Sequence, residues 1–154
     1  MQLRPLPPFM QWTCFVKGRP LNRSQLLERF QLAPPLSLAA ITALQNEAGY
    51  DFPPDYVALL QITNGLTSDG QLHLLAGEDL AGRNRDYEVQ AYMPGYVMIG
   101  DDSGGNAILI GPSSPEVFEV GMGVMNADWM KRSAQNLSEL LILHEGRTLG
   151  EREE

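Results

Sequence analysis

Apolar positions in the first half of the chain recur at helical spacing, whereas those in the second half fall in short blocks. Ser24 is placed to cap a short helix offering Leu26, Leu27 and Phe30 on one side, and Pro34-Pro35 ends it. Ser37 precedes a second helix carrying Leu38, Ile41, Leu44 and Ala48, and Gly49 stops it, because glycine takes the left-handed cap conformation without strain. Pro53-Pro54 opens a third helix, since a first turn has no intrahelical use for the missing N–H. Tyr56, Leu59, Leu60 and Thr63 then stand at i, i+3, i+4 and i+7, one buried face that lasts until Asn64-Gly65.

The texture changes beyond residue 65. Residues 72–75 predict a short strand and residues 78–89 a polar helix. Residues 96–99 and 107–110 are apolar runs joined by Gly-Asp-Asp-Ser-Gly-Gly-Asn at 100–106, a hairpin with a long loop. A turn at 111–115 leads to a third strand of the meander at 117–120. Asn136-Leu-Ser-Glu139 fits a capping box for a closing helix, with Leu137, Leu140, Leu141 and His144 at helical spacing before Gly146. At the other end, Pro5, Pro7, Pro8 and Pro20 exclude a long helix over residues 1–23, although 12–16 suit a strand. Helices, then antiparallel strands, then a helix predict an α+β fold: one domain with a central antiparallel meander backed by N-terminal helices and a C-terminal helix. The expected division is an N-terminal extension with a short helix (1–36), the folded domain (37–146) and a frayed charged tail (147–154).

The 154 residues suit a single core, and 44% hydrophobic against 19% charged residues argue against disorder. The net charge of −8 is lopsided: residues 1–77 hold five bases and five acids, and residues 78–154 hold six bases and fourteen acids. Phosphates need local cations, so nucleic-acid binding by the second half is disfavoured, while a partner that is itself basic is compatible with it. Cys14 is the single cysteine, which excludes an internal disulfide and a cysteine metal cluster. The longest apolar runs, 38–41 and 140–143, are too short to span a bilayer, and no signal-peptide run is present, so a cytoplasmic protein is expected.

Loop 100–106 is the obvious place to look for chemistry, because Asp101, Asp102, Ser103 and Asn106 supply oxygen ligands. Their spacing matches neither the alternate-ligand calcium loop nor a phosphate cradle with its lysine. Turn geometry, which wants Gly, Asn and Asp, explains the same residues. Cys14, His73 and His144 have no supporting motif, and Gly121-Met-Gly123 is followed by no helix pattern. No enzyme, cofactor or metal site emerges. The acids remain: Glu78, Asp79, Asp86, Glu88, Asp101, Asp102, Glu116 and Glu119 are the expected partner-binding residues, because loops and edges reach a partner without disturbing the core. Met93, Met98, Met122, Met125 and Met130 share that half with Trp129, and methionine suits both core filling and adaptable surfaces.

From Ile41 to Leu141 the motif order resembles the SUKH superfamily, the group related to the yeast cell-wall synthesis regulator of the Smi/Knr type. The residues are Ile41, Leu44 and Gly49, then Phe52-Pro53-Pro54-Asp55-Tyr56, Leu59-Leu60 and Asn64-Gly65. Ile99-Gly100-Asp101-Asp102-Ser103-Gly104-Gly105-Asn106 and Ala134, Asn136, Leu137, Leu140, Leu141 follow. Gln45, Phe52 and Leu137 depart from the usual Glu, Leu and aromatic, exchanges that a core or surface tolerates. The resemblance implies structural roles for Gly49, Pro53, Asp55, Tyr56, Asn64, Gly65, Gly100, Gly104 and Gly105. It also implies a non-catalytic immunity protein, monomeric or weakly self-associating, that binds and neutralises a cognate bacterial polymorphic toxin. A nuclease with a basic surface is the type of toxin that an acidic protein suits. The alternatives are a regulatory scaffold resembling the cell-wall regulator, or a metal- or nucleotide-binding enzyme built on Asp101 and Asp102.

Overall fold

Asn22, not Ser24, caps the first helix: its side chain accepts the Gln25 N–H (3.0 Å), and Gln25 Oε1 accepts the Asn22 N–H in return. The computed structural model describes residues 21–152 and the backbone of 15–16 and 19–20. Cys14 and positions 12–14 of the expected first strand lie outside the described residues. β1 (Phe15–Val16) pairs with β2 (Arg19–Pro20), and α1 (Arg23–Leu27) leads into β3 (Phe30–Leu32). Next come α2 (Leu38–Ala48), α3 (Pro54–Leu60), β4 (Leu66–Ser68) and β5 (His73–Leu74). The polar helix is α4 (Gly77–Asp86), followed by α5 (Val89–Tyr92). β6 (Val97–Asp101), β7 (Asn106–Ile110) and β8 (Val117–Gly121) form the expected meander, and β9 (Lys131–Ala134) extends it.

Ser37 and Gly49 act as expected on α2, the first accepting the Ala40 N–H and the second closing the helix at φ +88°. α3 stops at Leu60, one turn early, because Thr63 is drawn off the helix. Its buried hydroxyl accepts the Ala33 N–H (3.0 Å) and donates to the Gly65 carbonyl (2.6 Å), tying the α3 exit to β3. The closing helix is a π-helical turn, Glu139–Leu143, in which the His144 N–H reaches back five residues to the Glu139 carbonyl (2.8 Å). Within the expected charged tail, residues 147–152 pack back against the sheet. Leu149–Arg152 is α6, and Arg152 Nη2 donates to the Ser133 carbonyl (2.8 Å) and hydroxyl (2.7 Å).

The structure shows an α+β fold in which seven strands pair antiparallel in chain order, β3 to β9. β3, β4 and β9 lack an apolar run of their own and owe their strand state to their neighbours, as in the register Phe30↔Ser68 and Leu32↔Leu66. Residues 21–32 therefore join the folded unit that the sequence begins at 37: Leu21, Leu26 and Phe30 are buried in the main core beside Ile41, Tyr56, Leu59 and Leu60. The pleat of β7 sends Ile108 and Ile110 into that core and Ala107 and Leu109 to the opposite face. There a second cluster forms, with Val89, Met93, Met98, Val120 and Met125. Both faces are covered, so β6 and β7 read as unbroken apolar runs rather than alternating strands.

Candidate functional site

The motif residues converge on the start of α4. The buried Tyr56 hydroxyl donates to the Leu75 carbonyl (2.8 Å), Asn64 Oδ1 accepts the Gly77 N–H (2.8 Å), and Asn64 Nδ2 donates to Glu78 Oε2 (3.0 Å). Gly65, at φ +83°, passes so close that a Cβ would stand 2.8 Å from the Leu74 oxygen and from the Ala76 nitrogen. A Cβ on Gly100 would run into the His73 carbonyl oxygen. Asp55, buried at the first turn of α3 behind Pro53, takes the Leu137 N–H; burial pushes its carboxyl up to about 7 against that hydrogen bond.

Loop 101–106 closes on itself. Asp102 Oδ1 accepts the N–H groups of Gly104 (2.8 Å) and Asn106 (2.9 Å), and Oδ2 accepts Asn106 Nδ2 (2.8 Å). Burial works to raise this carboxyl, but those donors outweigh it and hold the group below the usual range. Asp101 accepts the Ser103 N–H (2.9 Å) and pairs with Arg83 Nη2 (2.9 Å), with His73 Nδ1 at 3.9 Å. Gly105 supplies the left-handed position at φ +100°.

The eight acids named from the sequence thus divide. Asp101, Asp102 and Glu119 are buried and hydrogen-bonded inside the fold, so they offer no free carboxylate to a partner. Glu119 shares the face of Val117, where its Oε2 accepts the Ser133 hydroxyl (2.7 Å) and the Leu149 N–H (2.9 Å) and holds α6 to the sheet. Glu116 is half-buried and bonded to Ser114 and Arg132 at the far edge of the sheet. Glu78, Asp79, Asp86 and Glu88 are exposed and follow one another along α4 and its exit. Glu78 and Asp79 also suit the first turn of α4, just as Arg83 and Arg85 suit its last, by complementing the helix dipole.

Asp86 joins that ridge to a groove that the chemistry of the sequence does not single out. Between the exit of α4, α5 and the β8–β9 connection, Tyr87, Tyr92, Met122, Val124, Met125 and Trp129 line an open space of about 530 Å³, with Asp86 and Glu88 at its rim. Trp129 is 67% exposed, Tyr92 62% and Val124 53%, half of the six large hydrophobic side chains that stand exposed among the described residues. The clustering of methionines with Trp129 in the second half was the available signal; Tyr92 carried none.

The pattern of the SMI1 / KNR4 family (SUKH-1) matches residues 35–142, well over half of the chain. The chain belongs to this family. The SUKH-1 match starts just after β3 and ends inside the π-helical turn, so it contains the acidic ridge and the groove, while β3 and α6 lie beyond it. No curated protein matches the chain. Among the described residues no helix is long and apolar enough to cross a membrane.

Proposed function

We propose that this SUKH-1 domain is an immunity protein that binds and neutralises a cognate bacterial polymorphic toxin by stoichiometric association and catalyses no reaction itself. The observation that carries this reading is the run of exposed acids on α4 ending at an exposed aromatic groove. Such a combination suits recognition of a basic protein, because charges steer the encounter and desolvated aromatics supply the affinity. Family membership supports the same reading, as does the excess of acid in residues 78–154. The reading of Asp101 and Asp102 as the centre of an enzyme loses support, since both carboxylates are engaged within their own turn and by Arg83. Co-expression with the product of the toxin gene adjacent to its own is the test. A stable one-to-one complex and surviving cells are expected; unprotected cells with no co-purification would overturn the reading.

A further inference from the structure

Glu28, Glu47, Asp51, Asp69, Asp79, Asp86, Glu88 and Asp128 are the described acids without a side-chain partner, and of these Asp86 and Glu88 line the aromatic groove. Asp102 and Glu119 are bonded inside the fold, and Asp101, Glu116, Glu139 and Glu145 have cationic or histidine partners. Asp86 and Glu88 have neither an ion-pair nor a side-chain hydrogen-bond partner among the described residues, yet they stand two positions apart beside the densest set of exposed aromatics. Glu88 is also one of three non-glycine residues with positive φ among the described residues (+51°, ψ +40°), a conformation that costs on the order of 1 kcal/mol for such a side chain. That kink ends α4 and starts α5 across the second face of the sheet, placing Tyr87 and Tyr92 on opposite sides of the Glu88 carboxylate in sequence.

The groove has a firm base and a compliant lining. Beneath it, Val89 of α5, Met93 just past its end and Met125 of the β8–β9 connection pack onto Met98, Ala107, Leu109 and Val120 of the sheet. Met122 and Met125 line it, and an unbranched thioether side chain adjusts to an incoming shape at little cost. Trp129 follows Asn126, whose side chain accepts the Asp128 N–H (2.9 Å) and sets the short turn that presents the indole.

We propose that this groove is the anchor site for a segment of the partner protein that carries a lysine or arginine flanked by apolar residues, with the cation held between Asp86, Glu88 and the faces of Tyr92 and Trp129. The inference rests on the reading that the protein acts by binding another protein, and it goes beyond it by naming the surface and the chemistry of the occupant. Charge complementarity decides among occupants. Unpaired carboxylates next to tryptophan and tyrosine faces favour a cation twice, by ion pairing and by the ring quadrupole. An acidic segment or a nucleic acid meets the carboxylates of Asp86 and Glu88 at the groove; of the two bases in the last turn of α4, Arg83 is engaged by Asp101 and neither lines the groove. A second copy docked through the same face would bring those carboxylates against their own duplicates.

Two arms test this. In the first, the toxin partner is titrated with the wild type and with Trp129→Ala, Tyr92→Ala, the double change Asp86→Lys/Glu88→Lys, and Leu143→Ala as an exposed apolar control on another face. Trp129→Ala is expected to weaken binding about 30-fold, the loss typical of an interface anchor. The charge reversal is expected to slow association about tenfold and flatten its salt dependence. Leu143→Ala should leave both unchanged, and all variants should unfold thermally as the wild type does, since the altered side chains are exposed. In the second arm, the blocked peptide Lys-Leu-Arg-Leu-Lys and its all-glutamate counterpart are added to the ¹⁵N-labelled protein without toxin. The basic peptide is expected to shift amide signals within 86–93 and 122–130, and the acidic peptide to shift none. Wild-type toxin affinity in the Trp129 and charge-reversal variants, or basic-peptide shifts elsewhere or nowhere, would overturn the groove assignment. A groove that takes the basic peptide in a protein that binds no toxin would instead uphold the site and overturn the immunity reading.

Discussion

Asp55 occupies a position where two demands conflict. Its carboxylate receives the Leu137 N–H and thereby ties the first turn of α3 to the start of the closing helix, yet it is buried, which disfavours its charge and moves its pKa from 3.8 to about 7. Between those two values the folded state binds a proton that the unfolded chain has lost. Stability from this group is therefore fully present below about pH 4 and declines as pH rises toward 7. Asp55→Asn keeps a carbonyl for the Leu137 N–H and removes the buried charge. Urea unfolding at pH 5 and pH 8 is expected to show the variant more stable than the wild type at pH 8, by roughly 2–4 kcal/mol, with the gap narrowing at pH 5. An unchanged pH slope in the variant would contradict this account. Asp55 was visible in the sequence only as part of a motif. Helical spacing does not single it out for burial, and its hydrogen-bond partner, the Leu137 N–H, lies far along the chain.

The β6–β7 hairpin shows how an element depends on a single side chain. Its loop holds Ser103 and Gly105 at positive φ, and the Asp102 carboxylate gathers three donors that would otherwise splay apart. Asp102→Ala is expected to cost about 2 kcal/mol in denaturant unfolding, because two backbone N–H groups and an amide lose a charged acceptor. The pKa of Asp102 is depressed, so its contribution is present above the unfolded value near 3.8 and is lost as pH falls through the lower folded value. Circular dichroism over an acid titration should show the wild type losing this increment while the alanine variant does not. This element was legible beforehand because two apolar runs and a Gly- and Asp-rich connection are local signals. β4 and β9 were not. Leu66–Ser68 and Lys131–Ala134 have ordinary polar composition, and only the edge offered by a neighbouring strand makes them strands.

At the level of the whole fold, the sheet starts earlier than the motif region. A chain begun at Ser37 lacks β3 and the buried Leu21, Leu26 and Phe30. At about 1.5–3 kcal/mol for each large apolar side chain buried, that loss rivals the net stability of roughly 5–15 kcal/mol of a typical domain. Such a truncation is expected to be unfolded or to unfold at far lower urea than the full chain; an unchanged midpoint would show that residues 21–32 are dispensable. The charge asymmetry also changes meaning in three dimensions. Fourteen acids in the second half suggest one acidic surface, but Asp101, Asp102 and Glu119 are buried and Glu116 lies at the far edge of the sheet. Of the eight acids expected to meet a partner, four remain exposed, all on α4 and its exit, and the last two line an aromatic groove.

Helices α2 and α3, with Ser37, Gly49 and Pro54 at their ends, and the β6–β7–β8 meander followed from the sequence by itself. Caps, periodicity and turns act between residues within a few positions of each other. The tertiary structure alone decided that polar segments complete a seven-stranded sheet, that Thr63 leaves its helix and that Glu119 points inward. It also brought Tyr92 and Trp129 into the lining of one groove. Each of those outcomes depends on a contact between residues distant in the chain. A sheet covered on both faces removes the alternation that would otherwise have marked which side chains turn inward.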